Sequence, residues 1–192
     1  MAADKLREYH RKRDFKKTPE PRGRSARRSR QPRFVVQEHA ARSHHYDFRL
    51  EVDGVLKSWA VPKGPSTNPK EKRLATQTED HPLDYIDFEG IIPPGEYGAG
   101  TVIVWDIGTY RNLTDDGNTP IEEGLKKGHI RVFLEGKKLR GTWALTRFRD
   151  NQWLLVKTKD DKADARRNLV KSRPESVKSG RTLEEVAAEA AS

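Results

Sequence analysis

Apolar residues recur along this chain mostly at the two-residue period of β-strands, not at the spacing of three to four that marks a helix face. Runs of that kind cover 34–37, 44–53, 55–62, 73–79, 101–106, 129–135, 140–147 and 152–158. Between the second and third run stands Asp53-Gly54, a hairpin signal because both residue types accept the positive φ of a tight turn. Gly136 with Lys137-Lys138, and Arg149-Asp150-Asn151, mark further turns. Strands this numerous with connections this short predict an all-β fold, a compact closed or nearly closed β-barrel of about eight strands with short flanking helices and a basic N-terminal arm. Val102, Val104, Trp143, Leu145, Trp153 and Leu155 have the spacing of inward-facing residues and are expected in its core. Helical patterning is confined to the ends. Asp4 to Arg13 fits a short charged helix, and Thr182-Leu183-Glu184-Glu185 has capping-box form and opens an alanine-rich run to Ala191. The expected divisions are an arm over 1–33, with 14–33 a linker, a barrel over 34–159, and a mixed-charge tail over 160–192.

Charge sharpens this division. Residues 1–33 hold 13 Lys and Arg against 4 Asp and Glu, whereas residues 34–192 hold 25 of each, so the whole net charge of +9 lies in the arm. Its densest part, 22–33, has no apolar residue able to build a core and predicts a flexible tether for a polyanion, against the plainer alternative of a solubilising tail. With 192 residues, 33 % hydrophobic and four Trp, the chain can bury a modest core. The absence of Cys excludes disulfides, thiolate nucleophiles and cysteine-based zinc sites. No apolar stretch reaches membrane-spanning length and the N-terminus lacks a signal-type segment, so a soluble intracellular protein without membrane partners is expected.

The chemistry concentrates in Gln37-Glu38-His39-Ala40-Ala41-Arg42-Ser43-His44-His45-Tyr46-Asp47-Phe48-Arg49-Leu50. On a strand over 44–52, alternation puts His45, Asp47, Arg49 and Glu51 on one face and His44, Tyr46, Phe48, Leu50 and Val52 on the other. Two imidazoles and a carboxylate, His39, His45 and Asp47, offer a divalent metal three ligands and leave positions open for water and substrate. His39 lies just past the run 34–36, where an adjacent strand or a bend could bring it to the same place. The bland alternative makes His-Asp-Arg-Glu the wet face of a half-buried strand. A second cluster is Glu79-Asp80-His81-Pro82-Leu83-Asp84-Tyr85, in which His81 could serve a leaving oxygen or a phosphoryl group and Tyr85 could donate to the same oxygens. Taken singly, His81, Lys63 and Arg73 read as surface residues. Pro93 to Gly100 lacks the Lys-Ser/Thr of a P-loop and reads as paired turns.

In order along the chain, Lys12-Arg13-Asp14-Phe15, Thr18-Pro19-Glu20-Pro21, Gln37-x-His39, His45-Tyr46-Asp47-Phe48-Arg49-Leu50-Glu51, Leu56 to Pro65, Glu79 to Tyr85, Phe88-Glu89-Gly90 and Pro94 to Val102 resemble the 3'-phosphoesterase domain of bacterial DNA ligase D. The resemblance runs from about residue 5 to 158. It implies a manganese-dependent hydrolase, with zinc or cobalt as alternative metals, that removes a 3'-terminal ribonucleotide and then hydrolyses the remaining 3'-phosphate to a hydroxyl in non-homologous end joining. It implies primer–template DNA ends as substrate, a separate ligase, polymerase or Ku protein as partner class, and a cytoplasmic, nucleoid-associated location. Carried over by position, His39, His45 and Asp47 are metal ligands, Arg49 and His81 contact the scissile phosphate, and Tyr85 supports them. Gln37, Lys63, Arg73 and Glu79 become substrate-side groups, and Arg13, Asp14 and Glu20 act chiefly in the ribonuclease step. One departure is His44, where the family has an apolar residue, so adjacent histidines compete for one ligand position and alternation favours His45. The Lys-x-Asp-Gly nucleophile of a ligase is absent, so no nick sealing is expected. A non-catalytic module that binds DNA ends and recruits other enzymes is the alternative.

Overall fold

A computed structural model describes residues 5–23 and 30–192. Nine strands form one antiparallel sheet: β1 (Arg33–Ala40), β2 (His44–Val52), β3 (Val55–Val61), β4 (Arg73–Pro82), β5 (Gly90–Ile92), β6 (Gly100–Asn112), β7 (His129–Gly136), β8 (Arg140–Arg149) and β9 (Gln152–Lys157). The order β1-β2-β3-β4-β9-β8-β7-β6 closes when β6 pairs with β1, giving an eight-stranded barrel, and β5 is added on the outer edge of β6. The Asp53-Gly54 turn is as expected, with φ of 48° and 82°.

Alternation on β2 sends Tyr46, Phe48, Leu50 and Val52 into the barrel, where they meet Trp59, Trp105, Trp143 and Trp153. All four indoles are at most 1 % exposed. Trp143, Leu145, Trp153 and Leu155 are in this core as expected, but Val102 and Val104 are not. Val102 pairs directly with His39 and Val104 with Gln37, so both lie on the outer face, and Trp105 and Tyr110 take the inward positions of β6. The sequence period was right and its phase was wrong.

Outside β1 to β4 lies a second apolar cluster of Tyr9, Val35, Leu56, Leu83, Tyr85, Ile86 and Val104. Tyr9 belongs to α1 (Arg7–Arg11), which stops two residues short of the expected end at Arg13, while Asp4 lies outside the described residues, and Leu83, Tyr85 and Ile86 belong to a 3₁₀ turn, Leu83–Asp87. The linker expectation therefore fails for residues 14–23. Phe15 packs on this cluster, Thr18 and Glu20 are buried, and the Tyr9 hydroxyl donates to the Pro21 carbonyl at 2.5 Å. Gly23 (φ 95°) closes the segment where a Cβ would stand 2.9 Å from that of Pro82. Residues 24–29 of the basic run lie outside the described residues.

β6 is longer than expected, and α2 (Ile121–Lys127) follows it in a stretch that carried no assignment. Between its pairings with β5 and β7, one edge of β6 leaves a slot, and the tail fills it. The Val177 amide donates to the Val104 carbonyl at 2.9 Å, the Trp105 indole donates to the Arg173 carbonyl, and Lys138 donates to the carbonyls of Arg173 and Glu175. Burial pushes the Lys138 amine down to about 8, partly offset by Glu175 and Asp106. α3 (Leu169–Ser172) packs Leu169 on the core, and α4 (Leu183–Ala190), capped by Thr182, packs Leu183 and Val186 on Ile103.

Asp106 holds the β7–β8 turn: its carboxylate accepts from the backbone amides of Lys137, Lys138 and Leu139 at 2.9, 3.1 and 2.8 Å. Asp106→Ala is expected to lower stability by on the order of 3 kcal/mol, since buried amides lose their acceptor. A urea midpoint that falls with unchanged slope is the expected readout, and an unmoved midpoint would show that the turn does not depend on this carboxylate.

Candidate active site

The β1–β2 hairpin pairs His39 with His45, Gln37 with Asp47 and Val35 with Arg49. Directly opposed residues of an antiparallel pair share a face. This register gathers His39, Gln37, His45, Asp47 and Arg49 on the outer side of the barrel. Continuation of β1 to Ala40 supplies the third ligand candidate, and no bend is needed.

Each imidazole is anchored by one nitrogen. His39 Nε2 donates to the Gly98 carbonyl at 2.7 Å, and His45 Nδ1 donates to the Ser43 carbonyl at 2.9 Å. The nitrogens left over, His39 Nδ1 and His45 Nε2, stand 3.6 and 3.1 Å from Asp47 Oδ2. One atom from each of the three residues lies within 4.8 Å of the others. Neighbouring ligands bonded at about 2 Å sit about 3 Å apart, so small side-chain shifts complete a three-ligand shell. Backbone carbonyls that fix the far nitrogen of a histidine are the usual support of such a shell. Burial alone would lower the His45 pKa, but the hydrogen bond and charge of Asp47 raise it. Burial would raise Asp47, and Arg49 with the two histidines holds it well below the usual carboxylate range.

Arg49 is a buried cation of the site. Its Nε donates to Gln37 Oε1 at 2.8 Å, and Nη2 lies 3.4 Å from Asp47 Oδ2. The Gln37 amide in turn donates to the carbonyls of Tyr85 and Phe88, both at 3.0 Å, so the glutamine is clamped and aims the guanidinium. Arg49 Nη1 is buried without a partner among the described residues. An unmet donor on a buried guanidinium beside a metal-type triad fits an anionic oxygen.

His81 stands on β4, opposite Leu56 across an irregular register that turns both Thr78 and Glu79 toward the pocket. Its Nδ1 donates to the Glu79 carbonyl at 2.9 Å, and Nε2 accepts from Arg13 Nη2 at 3.3 Å. Burial, then the charges of Arg49 and Arg13, push its pKa well below the ordinary value, so the ring is neutral. Tyr85 lies under Arg49, 4.9 Å from ring centre to guanidinium, and donates its hydroxyl to Glu20 at 2.7 Å. Arg13 ties the arm to the site through Glu20 at 3.1 Å and Glu79 at 3.2 Å.

A cavity of 270 Å³ opens onto His39, His45, Asp47, Arg49, His81, Tyr85, Arg13, Glu20 and Glu79. Four other expected residues stand elsewhere. Gln37 is behind Arg49, and Asp14 accepts from backbone amides within its own turn. Lys63 is exposed after β3. Arg73 pairs with Glu71 at 2.6 Å and lines a different pocket with Ser66, Arg166 and Arg167. His44 lies on the opposite face, 3.3 Å from Glu38 and half exposed, so alternation separates the adjacent histidines as expected. Tyr97 lines the cavity, Lys12 reaches its wall at Glu79 and the Tyr97 hydroxyl, and the Gly98 carbonyl orients His39. The sequence signals for Tyr97 and Gly98 are the glycine-rich run and its place in the family resemblance, neither of which gives them a role.

The neutral, buried His81 has a consequence for stability. Its folded pKa is depressed, so the unfolded chain binds the extra proton first and stability falls as pH drops below about 6.5. Thermal midpoints of His81→Asn are expected to decline less than wild type between pH 7 and pH 5. Parallel declines would assign the loss to other groups.

The chain matches the family described as DNA Ligase D 3'-phosphoesterase domain over residues 37–147. It is 55 % identical over 186 residues to the multifunctional non-homologous end joining protein LigD of Pseudomonas aeruginosa, covering 93 % of this chain and 22 % of that protein. It is 48 % identical over 163 residues to the LigD of Mycobacterium tuberculosis, described as a multifunctional non-homologous end joining DNA repair protein, covering 83 % of this chain and 20 % of the relative. Against the LigD of Mycolicibacterium smegmatis the figures are 46 % over 165 residues, 83 % and 21 %. The chain thus spans about a fifth of these relatives' length. Among the described residues no helix is long and apolar enough to cross a membrane.

Proposed function

The chain belongs to the DNA ligase D 3'-phosphoesterase family, and from that premise we propose that it is a metal-dependent hydrolase that heals DNA 3' ends for non-homologous end joining. Its steps are removal of a 3'-terminal ribonucleotide and hydrolysis of the resulting 3'-phosphate. The observation that carries this reading is the buried Nη1 of Arg49, without a partner among the described residues, beside the His39, His45 and Asp47 triad. A cation with an unmet donor next to three metal-type ligands suits a phosphate ester, because phosphoryl transfer depends on positioning and charge neutralisation more than on covalent chemistry.

His39 Nδ1, His45 Nε2 and a carboxylate oxygen of Asp47 would hold the ion, with manganese the reading taken from the family. The bound ion supplies Lewis-acid polarisation of a phosphoryl oxygen and acidifies water. Arg49, aimed by Gln37 and backed by the Tyr85 ring, places one N–H on a non-bridging oxygen of the phosphate. His81 holds its Nε2 toward the same cavity. Arrival of phosphate charge favours its protonation there, opposing the burial and the two arginine charges that keep it neutral, and a proton on Nε2 can then pass to the leaving oxygen. Arg13, Glu20 and Glu79 form the wall on the nucleoside side.

The test is a time course on two labelled primer–templates, one ending in a ribonucleotide and one in a 3'-phosphate, with and without manganese. The expected result is conversion of both to a 3'-hydroxyl only with the metal. Binding without turnover of either substrate would instead make the chain an end-binding module.

A further inference from the structure

Large apolar side chains exposed to solvent are few among the described residues: Leu74, Phe148 and Tyr97. Of these, Tyr97 alone lines the cavity of the candidate active site, with 47 % of its surface open. It is carried by the tight loop between β5 and β6. The Glu96 amide donates to the Pro93 carbonyl at 3.2 Å, the Ala99 amide donates to the Glu96 carbonyl at 3.0 Å, and Gly98 turns at φ 75°. The residue after Tyr97 is the one whose carbonyl fixes His39. Cations hold the ring from the arm side. Lys12 Nζ is 4.8 Å from the ring centre and 3.4 Å from the hydroxyl, and the Arg13 guanidinium is 5.3 Å from the centre.

We propose that Tyr97 is the stacking platform for the base of the 3'-terminal nucleotide, positioning the end while Arg49 and the triad take its phosphate. The inference rests on the proposed 3'-end chemistry. A half-exposed aromatic ring at the rim of a pocket that holds Arg13 and Arg49 gives any base a π-surface without reading its identity, which is what an enzyme acting on ends of every sequence requires. The cations on the ring add to that stacking. A ring serving only to cover Arg13 would be buried against it. Exposure of nearly half its surface leaves room for a second plane.

The experiment uses the full chain and a primer–template whose 3'-terminal nucleotide is 2-aminopurine, carrying a 3'-phosphate for kinetics and a 3'-hydroxyl for equilibrium binding. Wild type is expected to quench the 2-aminopurine fluorescence on binding. Tyr97→Ala is expected to lose most of the quench and to raise KM about tenfold while kcat moves less than threefold. Tyr97→Phe, which keeps the ring and loses the Lys12 contact to the hydroxyl, is expected to restore both readouts. Manganese titration of Tyr97→Ala, followed by the free-ion paramagnetic signal, should match wild type, which separates stacking from disturbance of His39. Retained quench and KM in Tyr97→Ala overturn the proposal, as does failure of Tyr97→Phe to rescue. Wild type that quenches but releases no phosphate from the 3'-phosphate end would instead refute the 3'-end chemistry.

Discussion

Asp47→Ala and His45→Ala are each expected to reduce phosphate release from a 3'-phosphate primer–template by on the order of a thousandfold or more, while His44→Ala keeps most of the wild-type rate. The first two remove a ligand from the set that would hold the ion, and metal catalysis contributes several kcal/mol of charge stabilisation. His44 stands one residue away but on the opposite sheet face, against Glu38. Asp47 is also the carboxylate that answers buried Arg49, so its loss leaves a buried cation without a counter-charge. For that reason Asp47→Asn and a thermal midpoint belong in the same experiment. A folded Asp47→Asn without activity assigns the defect to the site. Equal loss from His44→Ala would contradict the ligand assignment.

The second large effect concerns Arg49. Arg49→Ala is expected to leave metal affinity within a few-fold of wild type and to lower kcat by about 10² to 10³, the cost of one preorganised donor to a developing charge, roughly 3 to 4 kcal/mol. Arg49→Lys should recover little, because an ammonium cannot meet both the Gln37 oxygen and a phosphate in the fork geometry that the guanidinium uses. Gln37→Leu should show a weaker version of the same defect. Metal titration decides the matter: loss of the ion in Arg49→Ala would make the arginine a support of the triad and not a contact to the phosphate.

Much of this was legible in the residues. Two-residue alternation on β2 assigned Tyr46, Phe48, Leu50 and Val52 to one side and His45, Asp47 and Arg49 to the other, and the barrel core with the outer site follows that division. Alternation also separated His44 from His45. What it could not supply was the inside of the barrel relative to each strand, which is why Val102 and Val104 were placed inward when Trp105 holds that side. The polar face of β2 was weighed as a wet surface, yet Asp47 and Arg49 are buried, because the arm and the 3₁₀ turn lie over them. Residues 14–23 of the arm, read as linker, are packed instead. That packing depends on Tyr9, Phe15 and a few ion pairs such as Arg13 with Glu20 and Glu79, too sparse for any periodicity to reveal. Lys63 and Arg73 were named only through the family resemblance, and the fold keeps both out of the cavity.

The most direct test is anomalous diffraction at the manganese edge from crystals grown with the metal and a primer–template ending in a hydrolysis-resistant 3'-phosphorothioate. A single strong peak about 2 Å from His39 Nδ1, His45 Nε2 and an Asp47 oxygen, with the phosphorothioate on Arg49 Nη1, is the result expected. An ion bound through His44 and Glu38, or a phosphorothioate seated away from Arg49, would contradict the site as described.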